Sequence, residues 1–165
     1  TYWSSEREKY YGADDMGINF YNFDIRNLTE EVKKIKRKYD FIIIDSPPAI
    51  TFETLQIIKA SNGVFVPVQP SPLDLMATLP FLQIARDERK KPLIILNRVM
   101  PRAKLTEAMI LRLRYSGAKI ARSRISSKVI FAESFAVGRG VIDINVTSDA
   151  SKEIINVGNE IIRNL

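Results

Sequence analysis

The chain has 165 residues, 45% of them hydrophobic and 27% charged, with a net charge of +6, which suits one globular domain able to bury a core. It contains no cysteine and no histidine, so disulfides, thiolate chemistry and an imidazole base are excluded, and any metal would be a hard cation on oxygen ligands. The absence of cysteine fits a reducing cytoplasm, and no apolar run approaches the roughly 20 residues of a membrane span or the pattern of a signal peptide.

Charge is distributed unevenly. Residues 1–85 carry 9 basic and 11 acidic side chains, whereas residues 86–128 alone carry 13 basic and 3 acidic. Such a block favours a polyanionic partner, most simply nucleic acid; a solvated basic face on an ordinary enzyme is the alternative. The chain opens at Thr1 with residues that read as mid-domain sequence, as a fragment would.

In chain order, residues 1–17 read as an irregular lead-in with a helical turn around Ser4–Tyr11, and Ile18–Ile25 alternates as a strand does. Asn27-Leu28-Thr29-Glu30 resembles a capping box, opening a helix to about Arg37 with Leu28, Val32 and Ile35 on one face. Residues 40–45 (Asp-Phe-Ile-Ile-Ile-Asp) read as a strand buried on both faces, stopped by Ser46-Pro47-Pro48. A helix over Thr51–Ser61, with Leu55, Ile58 and Phe52 as inward candidates, stops at Asn62-Gly63. Val64–Val68 is a second buried strand, and a helix over Leu73–Arg86 contains Pro80, which should kink it. Leu93–Leu96 is a third strand, ending in Asn97-Arg98.

Leu105–Tyr115 is a helix closed by Gly117, Ala118–Ile125 a strand, and Ser127–Val137 a helix closed by Gly138. The last helix, Asp149–Asn164, places Ile154, Ile155, Gly158, Ile161, Ile162 and Leu165 on one stripe. Tyr115, Phe131, Phe135 and Met109 read as core rather than as a base-stacking platform. Alternating strands and helices predict an α/β domain with a mostly parallel sheet, and three strand ends should point their loops at one rim.

An apolar strand ending in Asp is the Walker B pattern, whose carboxylate holds Mg²⁺ through water; alone it is weak, since many strands end in Asp. The order of pieces is more specific. Asp-Phe-Ile-Ile-Ile-Asp-Ser-Pro-Pro, then Val-Phe-Val-Pro-Val-Gln-Pro-Ser-Pro-Leu-Asp-Leu, then Leu-Asn-Arg resembles the ParA/MinD family of deviant Walker P-loop ATPases. The chain is most similar to its plasmid-partition ParA branch, including the short ParF type. Pro70-Ser71-Pro72-Leu73-Asp74 is the most branch-specific piece, and the similarity runs from about Trp3 to the C-terminus.

The resemblance implies a three-layer P-loop NTPase-like domain lacking the N-terminal P-loop strand and helix, since the chain has no glycine-rich loop and none of the family's phosphate-binding lysines. By the same resemblance, Asp45 is the Mg²⁺-side carboxylate and Ser46–Pro48 the switch that senses the γ-phosphate. Asn97 and Arg98 lie by the adenine, and Gln69, Pro70, Ser71, Pro72 and Asp74 line an ATP-dependent dimer interface. Arg112, Arg114, Lys119, Arg122, Arg124 and Lys128 resemble, in placement, the surface by which ParA dimers bind DNA without sequence preference. Lys128 stands where the family often has arginine, which loses the bidentate fork.

The implied parent is a cytoplasmic, nucleoid-associated ATPase using ATP/ADP and Mg²⁺, partnered by a ParB-type centromere-binding adaptor and segregating plasmid or chromosome copies. The 165 residues alone are expected not to hydrolyse ATP. Two alternatives stand beside this reading. One is a MinD-like positioning ATPase, for which a last helix carrying only Lys152 and Arg163 as cations is a poor membrane anchor. The other is a non-catalytic DNA-binding or dimerisation module that has lost its P-loop.

Overall fold

The computed structural model of the chain describes residues 2–13, 16–47, 49–101 and 104–165. Its centre is a parallel sheet of three strands in the order β1 (Phe65–Val68), β2 (Leu93–Val99), β3 (Lys119–Ser126). Helix α4 (Pro72–Asp87) connects β1 to β2, and α5 (Lys104–Tyr115) connects β2 to β3, as parallel neighbours require. The remaining helices are α1 (Tyr2–Tyr11), α2 (Leu28–Ile35), α3 (Phe52–Ala60), α6 (Val129–Ala136), α7 (Val141–Ile144) and α8 (Asp149–Ile162).

Strand β2 explains the layering. Successive side chains of a strand point to opposite faces, and here both faces are apolar. Ile94 and Leu96 join Val68, Leu75, Leu82 and Leu113 in one core, between the sheet and α4–α5. Leu93 and Ile95 join Ala121 and Val157 in a second core, under α8. The result is helix, sheet and helix in three layers, the α/β architecture expected from the alternation of elements.

Several expectations are corrected. Residues 41–47 form no strand: they pair with nothing in the sheet, Phe41 is exposed, and Ile43 is 93% exposed. The composition is that of a buried strand, but a strand exists only through a neighbour's hydrogen bonds, and among the described residues none supplies them. Ile18–Asp24 likewise forms no strand; Ile18, Phe20 and Tyr21 are about half exposed, and a 3₁₀ turn follows at Ile25–Asn27. Asp24 caps that turn by accepting the Arg26 N–H at 3.0 Å, while Asn27 makes no side-chain cap bond to α2.

Helix α3 buries Thr54, Ile57 and Ile58, leaving Phe52 exposed. The buried line on α8 is Ala150 and Val157 with partly buried Ile154 and Ile161, so the apolar stripe is rotated from the predicted one and Ile155, Ile162 and Leu165 face outward. Tyr115, 90% exposed, and Phe135 are not core, whereas Met109 is buried. Helix α7 forms where the sequence signals no element, and β2 continues through Asn97 and Arg98 to Val99.

Helix α1 docks on the loop after α6. The Arg7 guanidinium, buried at this contact, donates to the Met16 carbonyl at 2.6 Å, the Gly138 carbonyl at 3.2 Å and the Asp143 carboxylate at 2.9 Å. It also lies over the Trp3 and Tyr11 rings, 5.1 and 4.5 Å from their centroids. Among the described residues, no helix is long and apolar enough to cross a membrane.

Candidate functional site

Val68 of β1 is paired with Leu96 of β2, so Gln69 and Asn97 leave the register side by side at the carboxyl edge of the sheet. Open α/β sheets place ligands at this edge. The turn after β1 is tied to the start of α4. Asp74 accepts the Gln69 N–H at 2.8 Å, and its own N–H donates to the Ser71 hydroxyl at 3.1 Å, which caps the helix. Pro72 at the first helical turn has no N–H to leave unsatisfied. The Gln69–Asp74 segment is thereby held rigid.

Beyond it, α4 presents Leu73 (78% exposed), Met76 (69% exposed), Ala77 and Pro80 to solvent. Spaced three and four residues apart, these side chains form an outward apolar stripe opposite the buried Leu75, Thr78 and Leu82.

Arg98 has φ of +52°, in the left-handed region that side chains rarely adopt. Its cause is visible in the register. Leu96 pairs with Arg124 and Val99 with Ser126, so β2 carries one more residue than β3 between these pairs, and the bulge turns the strand at Asn97–Arg98. Asn97 Oδ1 accepts the Arg98 N–H at 2.9 Å, and the Arg98 side chain is exposed.

Asp45, Ser46 and Pro47 are exposed and lie outside the sheet; Pro48 falls outside the described residues. The Asp45 carboxylate has no hydrogen-bond or ion-pair partner among the described residues. Downstream, the Thr54 hydroxyl donates to the Ala49 carbonyl at 2.6 Å and anchors the entry to α3.

The predicted DNA-binding residues divide among three surroundings. Arg112 and Arg114 are exposed on α5. Arg124 pairs with Glu107 of α5 at 3.2 Å, and Lys128 pairs with Glu153 of α8 at 2.8 Å. Lys119 donates to the Asn164 side chain, and Arg122 lines a cleft against α8.

Sequence reasoning passes over Glu153 and Glu160, which hold the outer edge of β3. Glu160 accepts the backbone N–H groups of Arg122 and Ser123 at 2.8 and 2.9 Å; Glu153 accepts the Ser126 N–H and hydroxyl at 2.9 and 2.7 Å. Partial burial opposes ionisation of both. For Glu160 the Ser123 and Arg122 N–H groups outweigh it; for Glu153 the Lys128 ammonium and Ser126 do so, and both carboxyls sit below their usual range. Their spacing of seven residues, two helical turns, is the readable signal that both lie on one face.

Residues 14–95 match a family described as an AAA domain. The chain is 26% identical over 146 residues to the maintenance of carboxysome distribution protein A of Halothiobacillus neapolitanus, covering 84% of this chain and 68% of that protein. It is 23% identical over 160 residues to the chromosome partitioning protein ParA of Myxococcus xanthus, covering 92% and 56%. In structure it is similar to the cell division ATPase MinD of Pyrococcus furiosus, with a TM-score of 0.71 at 21% identity, covering 85% of this chain and 59% of that one. The septum site-determining protein MinD of Pyrococcus horikoshii, complexed with Mg-ADP, gives a TM-score of 0.70 at 22% identity, covering 83% and 56%.

The chain belongs to the ParA/MinD family of deviant P-loop ATPases. Its fold is that of the MinD P-loop NTPases, and it spans between 56% and 68% of the lengths of those four proteins. Family membership implies a nucleotide with Mg²⁺, and the donor set of this ParA/MinD chain can be compared with that demand. Asp45 provides a single exposed carboxylate, and among the described residues no three acidic side chains group into a metal site. No glycine-rich turn supplies the backbone N–H nest that triphosphates need. These residues do not by themselves fit Mg-ATP.

Proposed function

We propose that these residues are the C-terminal part of a ParA-type partition ATPase domain, a nucleotide-dependent homodimer that binds DNA without sequence preference and meets a ParB-type adaptor. The observation that carries this reading is the carboxyl edge of the sheet. There the Gln69–Asp74 turn and the Asn97–Arg98 bulge leave adjacent strands together, beside the outward apolar stripe of α4. A rigid turn flanked by Leu73 and Met76 suits a surface closed by a second copy across a nucleotide. Asp45 is the carboxylate that would order the water shell of Mg²⁺, Ser46 and Pro47 the segment that would report the phosphate, and Asn97 and Arg98 the adenine side.

The basic block from residue 86 onward supports a nucleic-acid partner, and phosphate contacts alone would suffice for nucleoid association. Because the donor set lacks a phosphate cradle, the 165-residue chain by itself should not turn over ATP. A titration with a fluorescent ATP analogue and Mg²⁺, beside Asp45→Ala and with phosphate release measured, tests both points. Neither saturable binding nor turnover is expected from the isolated chain. Turnover by a pure sample would overturn the role of the missing phosphate cradle, and binding that Asp45→Ala leaves intact would overturn that of Asp45.

A further inference from the structure

The amino ends of the three strands lie at the edge opposite the carboxyl rim. Asn62-Gly63 precedes β1, Arg89-Lys90-Lys91 precedes β2, and Lys119 begins β3; together with Asn164 they line a cleft of about 270 Å³. Asn164 also lines a second cleft, of about 340 Å³, which continues along β3 and α8 to Arg122 and Arg163. The two clefts therefore form one groove, with the Lys119–Asn164 hydrogen bond at its bend.

The groove is basic, with six cationic side chains lining it against one carboxylate. No carboxylate lines its first half, and the single one in its second half, Glu160, is turned onto the backbone of Arg122 and Ser123. Among the described residues Arg89, Lys91, Arg122 and Arg163 enter no ion pair, and all four are exposed. Lys90 is fixed by its bond to the Ser61 carbonyl at 2.6 Å. On the α5 side Arg112 and Arg114 are likewise exposed, but there Glu107 supplies an outward carboxylate, which pairs with Arg124 of β3.

We infer that this groove, from Arg89 and Lys91 past Lys119 to Arg122 and Arg163, is where the phosphate backbone of duplex DNA lies; the inference rests on the proposed DNA binding and locates its surface. Two strand spacings cover roughly 10 Å, and Lys119 to Arg122 along β3 is about 10 Å more. Each half would therefore face roughly one or two phosphates of one strand, since the backbone winds about the axis and its phosphates lie farther apart than the axial rise of about 3.4 Å. The groove takes Lys119 and Arg122 from the set proposed from sequence, adds cations from the turn before β2 and from α8, and leaves Arg112 and Arg114 outside. Side-chain amides along it can donate to phosphodiester oxygens, which carry no sequence information.

All of these cations belong to one chain and face the groove without nucleotide or a second copy, so the test is fluorescence anisotropy of a labelled random-sequence duplex with the 165-residue chain across a sodium chloride series. R89E/K91E is compared with R112E/R114E, doubles that change net charge equally. Thermal melts followed by circular dichroism check folding, and R89Q/K91Q provides a milder variant. R89E/K91E should bind at least tenfold more weakly, with its salt slope reduced by about 2, since each lost phosphate contact removes about 0.9. R89Q/K91Q should fall between it and the wild type, and R112E/R114E should lose at least about threefold less affinity than R89E/K91E, with its salt slope reduced by less than about 1.

Wild-type binding that R89E/K91E leaves unchanged, or equal losses in the two doubles, would overturn the groove while leaving DNA binding in place. No wild-type binding at low salt, or binding only to vesicles of anionic phospholipid, would remove both the groove and the DNA reading beneath it.

Discussion

Gly138 carries more structural consequence than any other single glycine in the chain. Its φ is +67°, and a Cβ built there would lie 2.1 Å from the Arg7 nitrogen and 2.4 Å from the Glu6 carbonyl carbon. Those atoms are backbone, so nothing can rotate away; any side chain must push α1 off the loop that Arg7 clamps. Gly12 provides the internal control, because its φ of +81° is equally left-handed but nothing lies within 4 Å of the added atom. Gly12→Ala should cost about 1 kcal/mol, the conformational penalty alone. Gly138→Ala should cost about 3 kcal/mol, because displacement of packed backbone adds to it. Trp3, the sole tryptophan, reports the docking directly, since its indole N–H donates to the Arg139 carbonyl at 3.4 Å. Urea unfolding followed by its emission should show Gly138→Ala red-shifted before any denaturant is added. Equal stabilities for the two variants with unchanged emission would contradict the close-approach argument.

At the scale of elements, helices and strands are legible where periodicity and stop signals agree. Thr51 to Asn62-Gly63, Val64–Val68 and Leu105–Tyr115 each carry both, and each forms within a residue or two of the expected bounds. Residues 41–44 fail for a different reason: composition specifies an apolar extended segment, but pairing depends on a neighbour that composition cannot name. The rotated stripe of α8 has a similar origin, since isoleucines on adjacent faces fit the period equally well and tertiary packing against Ala121 chose Val157 and Ile161. The site is legible as an order of motifs. The ties that organise it, Asp74 onto Gln69 and Glu160 onto β3, join groups whose proximity only folding creates.

The unpaired segment has a measurable consequence. Phe41 and Ile43, exposed on backbone that pairs with no strand, form a template for association. The chain should bind a hydrophobic dye and show concentration-dependent self-association by analytical ultracentrifugation. Ile43→Lys should reduce both while changing stability by less than about 0.5 kcal/mol, as for other exposed positions. A large loss of stability in Ile43→Lys would mean that this side chain is packed, contrary to its exposure.

For the whole molecule, Glu153, Glu160 and Asp143 join distant parts of the chain and respond to acid in the same sense. Glu153 and Glu160 hold α8 against β3, and both carboxyls lie below their usual range. Asp143 ties the α7 segment to α1; its partial burial is outweighed by the Gly140 N–H and the Arg7 guanidinium, so its carboxyl is lowered as well. A carboxyl depressed in the folded state binds fewer protons there than in the unfolded chain. The stability it contributes is therefore complete above the unfolded value, near 4.5 for Glu and 3.8 for Asp, and is lost as pH falls through the lowered folded value.

The urea midpoint should thus hold between pH 7 and pH 5 and drop steeply from about pH 4.5 downward, as the joins of α8 to β3 and of α7 to α1 are protonated. E153Q/E160Q separates these joins from general acid effects, because glutamine keeps the shape but cannot titrate. The double variant should lose about 1 kcal/mol per site at pH 7, after allowance for solvent screening of charged hydrogen bonds at partly exposed positions. Its midpoint should also fall less steeply than wild type below pH 4.5, so that the two curves converge in acid. Curves that stay parallel down to pH 3 would mean that the acid sensitivity resides elsewhere. In that case the carboxylates of α8 would not be what keeps the outer edge of β3, and with it Arg122, in position.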